Sequence, residues 1–120
     1  AATDITGFGL LGHALNVARE SRVTLELRAE ALPVLAGALD LAEQYQAGGL
    51  KANRRQFEPS VEWRRRPSPA LEALLFDPQT SGGLFLLVPP EESAALVASL
   101  EGAAIVGVVR EQGPRPLVVV

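Results

Sequence analysis

Residues 23–28, Val23-Thr24-Leu25-Glu26-Leu27-Arg28, alternate strictly between apolar and polar. Successive side chains of a strand point to opposite faces, so this pattern fits a strand with one face buried and the other in water. The segment before it follows a different rule. Leu10, Leu11, Ala14, Leu15 and Ala18 form a stripe at helical spacing, ending at Ser21-Arg22. Thr6 is the expected N-cap of that helix.

The rest of the chain continues the mixture. Ala31 to Gln46 is Ala-rich and broken by Pro33 and Gly37, and reads as one or two short helices, the better from Ala38 to Tyr45. Gly48-Gly49 breaks the chain, and residues 50–67 read as a long irregular segment, a length that points to function or mobility. Ser68 and Pro69 have the residue types of an N-cap and first helical position, with Leu71, Leu74 and Leu75 directed inward before a stop near Asp77-Pro78. Leu84 to Val88 is a continuous apolar run, the pattern of a central strand covered on both faces. Glu91 to Leu100 reads as a helix with Ala94, Leu96, Val97 and Leu100 as its apolar set; Ala103–Val109 and Leu117–Val120 read as strands around Gly113-Pro114-Arg115-Pro116. This order predicts a single α+β domain over residues 1–120, with a mixed β-sheet covered by helices on at least one face.

Composition narrows the function. Apolar residues make up 48% of the 120-residue chain and charged residues 21%, which is globular rather than disordered. The net charge of −3 argues against a general nucleic-acid binder. With no Cys and one His, thiol chemistry, Cys-ligated metals and multi-His sites are excluded. The lack of Cys fits a reducing, cytoplasmic setting. No apolar run is long enough to span a membrane. No Met is present, and the start Ala1-Ala2-Thr3-Asp4 reads as the middle of something longer.

Two glycine-bearing turns are the candidate sites. Asp4-Ile5-Thr6-Gly7-Phe8-Gly9 leads into the first helix. A helix start offers free N–H groups and partial positive charge to a phosphate, and glycine lets an oxyanion approach the backbone. A carboxylate there makes sense with a cation between it and the phosphate, so Asp4 is a candidate Mg²⁺ ligand; the plainer reading is that Asp4 or Thr6 caps the helix. The second turn, Asp77-Pro78-Gln79-Thr80-Ser81-Gly82-Gly83, offers two hydroxyls and bare backbone amides, or is simply a helix-to-strand connection. The basic cluster Lys51, Arg54, Arg55, Arg64, Arg65 and Arg66 is either a solvated surface or a phosphate-binding one. Asn53, beside Arg54, could either hold a turn or bind a ligand. His13 reads as a helix-packing residue, and Trp63 as a partly buried anchor.

Taken together, Thr3-Asp4-Ile5-Thr6-Gly7-Phe8-Gly9-Leu10-Leu11-Gly12-His13 and Phe76-Asp77-Pro78-Gln79-Thr80-Ser81-Gly82-Gly83-Leu84 resemble two stretches of the selenophosphate synthetase (selenide, water dikinase) family, within the aminoimidazole ribonucleotide synthetase-like superfamily. Gly48-Gly49 with Asn53-Arg54 resembles its intervening segment. The resemblance implies an aminoimidazole ribonucleotide synthetase C-terminal-domain-like fold, and a chain that is the C-terminal half of a two-domain ATP-dependent enzyme, often a homodimer. Such an enzyme makes selenophosphate from selenide, ATP and water, releasing AMP and orthophosphate. By the same resemblance Asp4 is a Mg²⁺ ligand, Thr6, Gly7 and Gly9 line the phosphate end of ATP, and Thr80, Ser81, Gly82 and Gly83 line the cleft between domains. The reactive Cys or selenocysteine and its Lys belong to the N-terminal ATP-binding domain, so no catalytic residue is expected here and the piece alone is expected to be inactive. The alternatives are a non-catalytic binding or assembly module docking through residues 51–66, and a sister ATP-dependent synthetase or kinase with another acceptor.

Overall fold

The computed structural model describes all 120 residues. In chain order the elements are β1 (Ala2–Asp4), α1 (Gly9–Ser21), β2 (Val23–Leu27), α2 (Ala38–Ala42), α3 (Gly48–Phe57), β3 (Val61–Trp63), α4 (Pro69–Phe76), β4 (Leu84–Leu86), α5 (Pro90–Ser99), β5 (Gly107–Glu111) and β6 (Leu117–Val119), with short 3-10 turns at Ala29–Ala31 and Glu58–Ser60. The architecture is α+β with a mixed sheet. Four strands lie in the order β3-β6-β2-β5, and β1 and β4 form a separate two-stranded ribbon. In the larger sheet β6 runs parallel to β2 and β3, whereas β5 runs antiparallel to β2.

The alternation of residues 23–28 places β2 as expected. Leu25 and Leu27 are buried and join a core with Leu10, Leu11, Ala14, Leu15 and Ala18 of α1. Burying each such leucine is worth about 1.5–3 kcal/mol. The opposite face carries Glu26, which accepts from Arg110 at 3.1 Å and Arg64 at 3.4 Å. Thr24 departs from the alternation, being buried beneath the β5–β6 turn. Its hydroxyl donates to the Arg115 carbonyl and accepts from the Gly113 N–H, both at 2.9 Å, and so ties that turn to β2.

At the start of α4, Ser68 accepts a hydrogen bond from the Leu71 N–H at 3.3 Å, with Pro69 at the first helical position. Five expectations fail. The N-cap of α1 is Phe8, without a side-chain cap, because the Thr6 side chain turns to His13 instead. The segment expected to be irregular holds α3 and β3: Leu50, Asn53 and Phe57 line one buried helical face, and Gly48-Gly49 opens this helix rather than only breaking the chain. Leu84–Val88 is not a central strand: only Leu84–Leu86 pair, with β1 alone, leaving Leu84 74% exposed while Phe85 is buried. Asp4, expected within the first turn, ends the partner strand β1. No residue of α5 is buried, so its expected apolar set does not enter the core.

Candidate functional site

The tertiary structure brings the two glycine-bearing turns into one place. Asp4 pairs with Leu84 across the ribbon. Beyond that pair, the Ile5 N–H donates to the Gly83 carbonyl at 2.9 Å, and the Gln79 N–H donates to the Thr6 carbonyl at 3.1 Å. Two glycines make this approach possible. Gly82 lies so close to the Ile5 carbonyl that a Cβ would collide with it. Gly9 has φ of +70°, and a Cβ there would fall 2.8 Å from the Phe76 carbonyl carbon, so both backbone shape and lack of space demand glycine.

On one face of the ribbon, Asp4 stands with Ala2, Leu84 and Leu86, all exposed. Its carboxylate makes no ion pair or hydrogen bond, and only its carbonyl is engaged, accepting from the Thr3 hydroxyl at 3.1 Å. Gly7 has open space above its Cα, and the amides of Gly7 and Phe8 make no intramolecular hydrogen bond. Thr80, Ser81 and Gly83 are exposed in the second turn, and Gly82 is half-buried. Thr6 faces inward: its N–H donates to His13 Nε2 at 3.1 Å, and its hydroxyl lies 2.9 Å from the same nitrogen. The N–H of Gly9 is also engaged, donating to the Thr6 carbonyl at 3.0 Å. Burial pushes the Asp77 carboxyl above its ordinary value, with no cation beside it to offset the cost.

Half of the basic cluster is paired with acids. Arg54 and Arg66 close on Glu72, whose side chain is 9% exposed; Arg66 holds both carboxylate oxygens at 2.9 Å and also reaches Glu58 at 3.0 Å. Those hydrogen bonds, to Glu58 and then Glu72, push Arg66 further up from its ordinary value. Its guanidinium lies 4.8 Å from the centre of the half-buried Trp63 ring. Arg64 pairs with Glu62 at 2.8 Å and more weakly with Glu26. Only Lys51, Arg55 and Arg65 of the cluster lack an acidic partner.

Of the two parts the sequence offers it, holding a turn or binding a ligand, Asn53 takes the first in the structure. Buried on α3, it donates from Nδ2 to the Gly7 carbonyl at 2.8 Å and to the Phe76 carbonyl at 3.0 Å. The signal was the spacing of Leu50, Asn53 and Phe57, a helical stripe with one polar member.

Residues 1–118 match the family described as AIR synthase related protein, C-terminal domain. The chain belongs to this family. Its relatives include selenide, water dikinases. It is 35% identical to a selenide, water dikinase of Clostridium botulinum (strain Eklund 17B / Type B) over 99% of this chain and 36% of that protein. It is 41% identical to the selenide, water dikinase of Caldanaerobacter subterraneus subsp. tengcongensis over 93% of this chain and 34% of that protein. A selenide, water dikinase of Rhizobium meliloti is also 41% identical, over 91% of this chain and 32% of that protein. The chain thus spans about a third of the length of these relatives. No helix is long and apolar enough to cross a membrane.

Proposed function

We propose that this domain is the C-terminal part of an ATP-dependent selenide, water dikinase, an enzyme forming selenophosphate from selenide, ATP and water with release of AMP and orthophosphate. Asp4 holds Mg²⁺ against the ATP phosphates in this reading. The observation that carries it is an unpaired, exposed carboxylate beside an open glycine, at the point where two separate turns meet.

The donor chemistry fits. No group of three or more acids or histidines lies together in this chain, so Asp4 would be one ligand among several. Mg²⁺ is commonly held by one or two carboxylates plus phosphate oxygens and water. When bound, the ion would neutralise charge on the phosphates. Gly7 and Phe8, with free amides, are placed to receive a phosphate oxygen. Thr6 and Gly9 shape the phosphate end of the site, since their N–H groups are already engaged. Thr80, Ser81, Gly82 and Gly83 line the cleft toward an N-terminal ATP-binding domain, which supplies the reactive Cys or selenocysteine. Exposed Leu84 and Leu86 flank Asp4 on the face that such a domain would cover. The complete enzyme is a cytoplasmic homodimer in this reading.

The test is Asp4→Asn in the full-length protein, read as selenide-dependent ATP turnover. A loss of about 100-fold or more is expected for a lost charge-stabilising group. Unchanged turnover at unchanged Mg²⁺ requirement sinks the assignment.

A further inference from the structure

The turn that carries the candidate site is held by two side chains that neither the family match nor the relatives' names assign a part. Gly7 has nothing packed above it, Phe8 is half exposed, and two glycines lie within three residues. A backbone of that composition has many conformations open to it, so its order must be imposed from outside. Asn53 reaches it from α3 and His13 from α1.

Asn53 is 6% exposed, and its side-chain NH₂ group has two N–H donors. One goes to the Gly7 carbonyl in the first turn and the other to the Phe76 carbonyl, where α4 gives way to the second turn. The same Phe76 carbonyl group borders Gly9. One amide thus ties both motif turns to α3. His13 acts on the adjacent residue. Its ring, packed at 5.7 Å from Phe8, presents Nε2 to the Thr6 N–H. To accept that hydrogen bond Nε2 must hold a lone pair, which places the ring proton on Nδ1. Thr6 and Gly7, two and three positions along the chain from Asp4, are therefore gripped by two different helices.

We infer that Asn53 and His13 are positioning residues that fix the Thr6–Gly7 segment and, through it, where Asp4 and the free Gly7 amide stand relative to the second turn. The functional part of this inference rests on the reading of Asp4 proposed above; the mechanical part does not. Groups that orient a metal ligand commonly change metal affinity by about 10–100-fold when removed.

The experiment uses the full-length protein and the variants Asn53→Asp, His13→Ala and His13→Gln, with Asp4→Asn as reference. Asn53→Asp keeps the shape but removes both donors. His13→Gln keeps an acceptor that the Thr6 N–H can reach. Hydrogen exchange by mass spectrometry is followed in a peptide covering residues 5–9 and in one from the middle of α1, alongside the Mg²⁺ concentration giving half-maximal turnover. Exchange in 5–9 is expected to quicken while the α1 peptide stays protected. The Mg²⁺ requirement should rise about tenfold for Asn53→Asp and His13→Ala, with His13→Gln closer to the parent. If Asn53→Asp does not fold, the half-buried His13 pair carries the test. Unchanged exchange in 5–9 overturns the inference, as does an unchanged Mg²⁺ requirement when Asp4→Asn shifts it. Loosened turns combined with a silent Asp4→Asn would bring down the metal assignment and leave the clamp standing.

Discussion

Asp4 and Glu72 are both carboxylates on short elements, and the protein treats them in opposite ways. Glu72 is buried and answered by Arg54 and Arg66, so its charge is neutralised within the chain. Asp4 is exposed, with no cation near enough to pair, on a ribbon face that also shows Leu84 and Leu86 to solvent. A buried acid without partners would cost several kcal/mol, so arginines beside Glu72 are what stability requires. Stability makes no such demand at Asp4, whose carboxylate is left unpaired. The basic cluster divides in the same way: Arg54, Arg64 and Arg66 are committed to neighbouring acids, whereas Lys51, Arg55 and Arg65 are not.

Exchanging the two acids for amides is the sharpest way to break this contrast. Asp4→Asn should remove about 100-fold or more of full-length activity while leaving urea unfolding within about 0.5 kcal/mol of the parent. Next in size is Gly9→Ala, which meets both a left-handed backbone and the Phe76 main chain. It should cost about 3 kcal/mol or more and weaken activity through the displaced turn. Glu72→Gln should behave inversely to Asp4→Asn. It should lose roughly 1–3 kcal/mol of stability, below the value for a fully buried pair because the arginines are partly exposed, with turnover per folded molecule nearly unchanged. Equal loss of activity from Glu72→Gln, at full stability, would end the distinction between the two sites.

The smallest effect belongs to Asp77. Burial raises its folded value above the ordinary 3.8. The folded state is therefore favoured most below the unfolded value, and that advantage fades as pH rises through the folded one. Asp77→Asn should match the parent in acid and be slightly more stable near neutral pH. A parent that gains stability relative to the variant as pH rises would show that Asp77 has a cationic partner.

Local patterns carried much of this protein. The alternation of 23–28, the stripe of α1 and the Ser68-Pro69 start of α4 are short-range rules in which side-chain spacing alone decides which face is buried, and each element stands where those rules put it. Asp4, Gly7 and the second turn could be singled out because glycines and carboxylates in sequence proximity already have limited physical uses. Other features depended on partners distant in the chain. Leu84–Leu86 is apolar enough for a central strand, yet it is an edge of a two-stranded ribbon because only β1 pairs with it. Residues 48–57, glycine-led and rich in charge, become a helix because Leu50, Asn53 and Phe57 find a core to enter. The joining of the two turns, and the grip of Asn53 and His13 on one of them, rests on hydrogen bonds between residues far apart in sequence, whose geometry no local spacing encodes.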